Sequence, residues 1–176
     1  MNGDARDSTS GLDGISRHEP ELSQEDTRPF LEAALTGDEK LRSAGFFVNI
    51  VKRGTTPHLQ GTTPRILVVE DDAGTAGVID AILKRQGFET RLAGRLQAVI
   101  RALSVKPHPD AILLDILLPD VNGFAILERL RRHPDLAGVP VVMLTSLSDP
   151  ADVAKGLALG ATGYLSQPAR PQAGGA

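Results

Sequence analysis

The 176-residue sequence contains no cysteine. That excludes disulfides, thiolate metal sites and a thiol nucleophile. It has no apolar run near the roughly 20 residues that a membrane-spanning helix needs. Its start, MNGDARDSTSGLDG, is polar and acidic rather than built like a secretory signal, so a cytoplasmic location is expected. There is no marked excess of either charge. The formal net charge is -3, which gives no strong signal for nucleic acid or an anionic membrane surface. Residues 1–64 carry 7 basic and 10 acidic side chains, and residues 65–176 carry 12 of each. The four histidines are scattered, with His108 and His133 beside prolines and no metal-ligand spacing. A histidine phosphotransfer role for His18 or His58 would need a helical bundle that 64 residues barely supply. What remains is a chain that is 41% hydrophobic, sufficient for one domain with a core, plus tails.

Residues 1–27 have few apolar anchors and read as a disordered tail. Residues 28–54 read as a helical segment, with Ser23 and Asp26 as candidate caps for its first piece. Gly37-Asp38 separates that piece from a second one carrying Leu41, Ala44, Val48 and Val51 at helical spacing. TTPHLQGTTP, residues 55–64, reads as a linker. From Arg65 the texture changes. RILVVE, FETRLA, DAILLD, VPVVML and TGYLS read as strands. Between them GTAGVIDAILKRQG, RLQAVIRALSVK, GFAILERLRRHP and DPADVAKGLALG read as helices. Val78, Ile82 and Leu83 mark the first helix, with Gly87 as its stop, and Leu96, Val99, Ile100 and Leu103 mark the second. Strands alternating with short helices imply an α/β fold with a parallel sheet and right-handed crossovers. A doubly wound five-stranded sheet of flavodoxin-like order 2-1-3-4-5 is expected.

In such a sheet the functional crevice lies beyond the C-terminal strand ends, at the point where strand order reverses. The first strand ends in Glu70-Asp71-Asp72, the third in Asp115 and the fourth in Thr145-Ser146. The fifth is followed by Gln167-Pro168. Strands one and three are neighbours in this order, so Glu70, Asp71 and Asp115 should converge. Three carboxylates in one pocket repel each other unless a cation joins them. Oxygen ligands without His or Cys favour a hard cation such as Mg²⁺, which commonly binds substrate phosphates. One carboxylate is then free to act as nucleophile. This explains why an acid, Asp115, stands inside the apolar stretch AILLDILLPDVNG.

Residues 65–168 resemble a response-regulator receiver domain of bacterial two-component systems, on ILVVEDD, LLDILLPDVNG, VVMLTS and GATGYLSQP. The pattern formed by Asp115, Leu118, Pro119, Asp120, Asn122 and Gly123 is specific. The resemblance covers roughly three fifths of the chain and leaves out residues 1–64. It implies that Asp115 accepts a phosphoryl group from a histidine kinase or phosphotransfer protein. It further implies that Mg²⁺ is held by Asp71 and the Leu117 carbonyl, with Glu70 acting nearby or through water. Thr145 is implied as the hydroxyl that moves to the phosphoryl oxygens, and Tyr164 as the aromatic that swings inward when Thr145 moves. The output is then a protein contact through the helix 4/strand 5 face, with no external substrate turned over.

The sequence departs from that family in three places. Gln167 stands where the family has Lys, so it can donate a hydrogen bond but not neutralise charge. Phosphorylation is expected, with weakened coupling to the output face. A degenerate receiver acting as a phosphorylation-independent scaffold is the alternative. Leu117 and Leu147 are apolar where the family routes its hydrolytic water, which implies slow loss of the acyl phosphate. After Pro168 only ARPQAGGA remains, too short and too rich in Pro and Gly for the family's last helix. Residues 169–176 therefore read as a flexible tail, and a truncated or altered end is expected. A partner, a second copy, or fold-back of residues 38–53 would also cover the exposed face.

Other residues read more plainly. Asp72 is expected as a solvated turn residue, Ser146 as a small residue keeping access open, and Asp120 and Asn122 as shapers of the loop after Asp115. Gly123 is expected to supply the tight turn into its helix. Arg129, Arg131 and Arg132 read as a solvated helix face, with nucleic acid an unlikely partner. An Asp-nucleophile phosphatase of the dehalogenase type ranks below both receiver readings, because its paired acids belong on the first strand.

Overall fold

A computed structural model describes residues 63–145 and 150–166. The expectations for residues 1–62, for Ser146 and Leu147, and for Gln167, Pro168 and the missing last helix lie outside the described residues. Among the described residues five strands and four helices alternate: β1 (Arg65–Val69), α1 (Ala73–Arg85), β2 (Glu89–Ala93), α2 (Leu96–Ser104), β3 (Ala111–Asp115), α3 (Gly123–Arg132), β4 (Val141–Thr145), α4 (Pro150–Ala158) and β5 (Gly163–Ser166). All neighbouring strands are parallel, in the expected order 2-1-3-4-5.

The period-2 pleat divides the sheet residues between two faces. Leu67, Val69, Ile112, Leu114, Val141, Met143 and Tyr164 join one buried cluster with Val99 and Leu103 of α2, Phe124, Ile126, Leu127 and Leu130 of α3, and Leu157 of α4. On the alternate positions Ile66, Val68 and Leu144 are buried, Leu113 and Val142 are half-buried, and Leu92 and Leu165 are exposed. α1 packs on β1 and β2. Here the apolar spacing misleads. Val78 and Ile82, which with Leu83 mark the helical spacing of α1, are 61% and 55% exposed, Leu83 is half-buried, and the buried residue of this helix is Ala76. Close packing of the helix on the sheet selects the small side chain, and the larger β-branched pair points away.

The helix ends follow local chemistry. Asp72 caps α1: its carboxylate accepts from the Thr75 N–H at 2.7 Å. It is exposed, as expected, but it is a cap and not merely a solvated turn residue. Gly87 has φ of 85°, and Phe88 N–H donates to the Leu83 carbonyl at 3.1 Å, closing α1 with a left-handed stop.

The basic cluster is also corrected. Arg132 is exposed and pairs with Glu128 one turn back, but Arg131 turns inward. Its Nε donates to the Gly160 carbonyl at 2.9 Å, and one terminal nitrogen donates to the carbonyls of Ala137 and Val139 at 3.1 and 2.9 Å. Burial disfavours its charge. This residue ties the end of α3 to the loop before β4 and to the turn that closes α4. Arg131→Ala should therefore cost about 2–3 kcal/mol, because the carbonyls lose their donor. Arg132→Ala should stay within about 0.5 kcal/mol. Urea denaturation of the two variants checks the contrast.

Candidate metal and phosphoryl-acceptor site

The site grows from register. β1 and β3 pair from Ile66 with Ala111 through Val69 with Leu114, so the residues that follow Val69 stand beside Asp115. Glu70, Asp71 and Asp115 each offer a carboxylate oxygen, and the three oxygens lie within 4.8 Å of one another. Glu70 and Asp115 are 3% and 4% exposed, while Asp71 is open to solvent.

Backbone amides orient the two buried acids. Asp72 N–H donates to Glu70 Oε1 at 3.0 Å, and Leu117 N–H donates to Asp115 Oδ1 at 3.3 Å. Glu70 N–H in turn donates to the Ala93 carbonyl at 3.1 Å, which holds the end of β1 to the end of β2. The donor set is oxygen throughout, which suits a hard divalent cation and gives a soft metal no ligand. The side chain of Leu117 is about half exposed beside this cluster.

The loop between β3 and α3 forms the wall. Asn122 caps α3 by accepting from Phe124 N–H at 2.8 Å, and Leu117 and Asn122 form an isolated antiparallel bridge. Asp120 reaches across the site: both of its carboxylate oxygens lie 3.2 Å from Leu96 N–H at the start of α2. The side chain of Arg95, at the cap position of α2, makes no capping bond, so Asp120 supplies the cap from another loop. The expectation that Asp120 and Asn122 shape this loop is thus given specific bonds. Gly123 works by close approach and not by an unusual φ. A β-carbon there would lie 2.9 Å from Ile116 Cα and closer still to the Asp115 carbonyl oxygen. A cleft of about 390 Å³ opens beside the acids, lined by Asp71, Leu117, Pro119, Asp120 and Asn122 among others.

Thr145 ends β4, opposite Ser166, one strand away from Asp115; its side chain is outside the described set. Tyr164 lies apart from the acids. It is 3% exposed, and its hydroxyl donates to the Asp152 carbonyl at 2.7 Å. Burial raises its phenol above the ordinary range, and the Asp152 charge adds to this. Sequence reasoning missed the roles of Asp120 as a cap and of Gly156, which borders Tyr164. The first could have been suspected from the lack of a capping side chain at Arg95; the second has no signal in a single sequence.

The family model for the response regulator receiver domain matches residues 66–174. Among curated relatives, the DNA-binding response regulator MtrA of Mycobacterium tuberculosis is 40% identical over 108 residues, 61% of this chain and 46% of that protein. The DNA-binding dual master transcriptional regulator RpaA of Synechocystis is 38% identical over 109 residues, 60% of this chain and 43% of that protein. The chain thus spans less than half the length of these relatives. Both of these relatives are named as DNA-binding. Among solved structures, the signal receiver domain of a histidine kinase from Syntrophus aciditrophicus superposes with a TM-score of 0.55 at 36% identity, covering 61% of this chain and 81% of that one. The receiver domain of sensor histidine kinase PA1611 from Pseudomonas aeruginosa, solved with a magnesium ion in its active-site cleft, gives 0.54 at 31% identity, covering 62% and 88%.

Gly123→Ala should destabilise the domain by about 1–3 kcal/mol, since the added carbon meets backbone and not a flexible side chain. Equilibrium urea unfolding measures this.

Proposed function

Since this chain belongs to the response-regulator receiver family, we propose that Asp115 is its phosphoryl acceptor and that Glu70, Asp71, Asp115 and the Leu117 carbonyl hold Mg²⁺ there. The observation that supports this most is the meeting of three carboxylate oxygens within 4.8 Å at the sheet's switch point. The bound ion would offset negative charge on the acids and on the incoming phosphoryl oxygens.

An Asp115 carboxylate oxygen attacks the phosphorus of a phosphohistidine on a kinase or phosphotransfer protein. The new P–O bond gives a mixed acyl phosphate as the P–N bond breaks, and the departing imidazole nitrogen keeps the bonding pair and ends protonated from solvent. The Leu117 amide steadies the attacking carboxylate, and the Asp72 amide keeps Glu70 turned into the site. Thr145 then offers its hydroxyl to the phosphoryl oxygens, and Gln167 donates one hydrogen bond without neutralising charge. Tyr164 belongs to the face of α4 and β5 that a protein partner reads. The module acts in the cytoplasm as a switch and turns over no external substrate. Contact with DNA is a property in the names of MtrA and RpaA, and for a longer protein carrying this domain it is a reasonable output.

A phosphorylation-independent scaffold is the second reading, favoured by the replacement of a cation by Gln167. Incubation with Mg²⁺ and acetyl phosphate separates the two. The expected result is a mass gain of one phosphoryl group on Asp115 that is lost in Asp115→Asn and decays over minutes or longer. No Mg²⁺-dependent gain leaves the scaffold reading standing, and decay within seconds contradicts the inference from Leu117 and Leu147.

A further inference from the structure

The ring of Tyr164 occupies a seat with no spare volume on one side. Its hydroxyl donates to the Asp152 carbonyl in the first turn of α4. The next turn of that helix presents Gly156. A β-carbon built at Gly156 would overlap the Tyr164 hydroxyl oxygen, and it would lie 2.8 Å from Cζ and 3.2 Å from a ring carbon of Phe124. Phe124 is fully buried at the start of α3, and Lys155 lies 5.4 Å from the centroid of its ring, covering the same corner. The phenol therefore lies between α3 and α4 in a space that exists because residue 156 has no side chain.

We propose that Gly156 is a positioning residue that seats Tyr164 inward before any phosphoryl group reaches Asp115, so that the face of α4 and β5 is already set in its aromatic-in form. The proposal rests on the phosphoryl-switch reading for its functional meaning, and the seat itself is tested on the untreated chain. Two features hold it. The buried phenol hydroxyl has its own donor satisfied by the Asp152 carbonyl, and withdrawing the ring would open a cavity beside Phe124. In this arrangement Asp115 chemistry has little left to do at Tyr164. Phosphorylation would have to act on the loop after β4, and a partner that reads the inward face would bind the resting protein. The raised proton affinity of the phenol, caused first by burial, agrees with an occupied seat.

The sequence makes the test clean, because Tyr164 is its sole tyrosine and it has no tryptophan. Intrinsic fluorescence of the full chain reports this one ring. Acrylamide quenching of the untreated protein, without Mg²⁺ or phosphodonor, should be several-fold weaker than for free N-acetyltyrosinamide, and Thr145→Ala should leave it unchanged. Quenching equal to the free amino acid derivative, or exposure of the ring in Thr145→Ala, overturns the proposal. Gly156→Ala should raise quenching several-fold while far-ultraviolet circular dichroism shows a folded domain; unchanged shielding overturns it. Should Gly156→Ala fail to fold, the double variant Gly156→Ala/Tyr164→Leu, which removes the ring as well as the hydroxyl, decides the matter. Recovery of a cooperative melt supports a clash with the Tyr164 ring, and no recovery refutes it. Acetyl phosphate labelling of Asp115 is read separately by mass, so failure of the phosphoryl reading and failure of the seat are distinguishable.

Discussion

Two parallel strands bring three negative charges together, and most of the site can be understood as a response to that. At a separation near 4.8 Å each pair of full charges repels by roughly 3 kcal/mol for an effective dielectric constant of about 20. Three such pairs are comparable with the whole stability of a domain, about 5–15 kcal/mol. The fold accepts this cost at one place only because the strands cannot pair otherwise. Val69 must face Leu114 for the alternating apolar residues of β1 and β3 to enter the same core. The acids that follow are then neighbours by necessity. Amides of Asp72 and Leu117 offset part of the repulsion, and an oxygen-only pocket open on the Asp71 side is suited to admit a divalent ion for the rest.

The surrounding loops make sense as the scaffold of that cluster. Gly123 lets α3 start against the backbone of Asp115, so the acid is clamped at its carbonyl as well as through its carboxylate. Asp120 spends its charge on the amide of Leu96 and so fastens the cleft wall to α2. Elsewhere in the domain Arg131 performs the same service without any acid, joining the Gly160 carbonyl after α4 to the Ala137 and Val139 carbonyls in the loop before β4. Both devices use a charged side chain to complete backbone hydrogen bonding, which is why neither is available as a free surface charge.

Much of this was legible in the order of residues. The short β-branched runs and the helical spacing between them carry the parallel α/β class, and the acids at the ends of β1 and β3 carry the candidate site. What could not be read was direction. Val78 and Ile82 keep helical spacing, yet they face outward because Ala76 makes the close contact with the sheet. Arg129, Arg131 and Arg132 look alike in sequence, but Arg131 turns inward to the carbonyls of Ala137, Val139 and Gly160, which only the fold brings together. Asp120 capping a helix 24 residues earlier is hinted at only by the non-capping Arg95, and Gly156 leaving room for Tyr164 is a consequence of tertiary contact with no local signal. The replacement of the family's lysine by Gln167 was plain in the sequence, and its effect depends on residues outside the described set.

The central claim is that Glu70, Asp71 and Asp115 form one site for a hard divalent cation. Titration calorimetry of the full chain with MgCl₂ tests it most directly. The account predicts a single ion bound per chain, with binding lost in Asp71→Asn and in Asp115→Asn while both variants remain folded. Absence of Mg²⁺ binding by the unmodified chain, or equal binding by both variants, would contradict it.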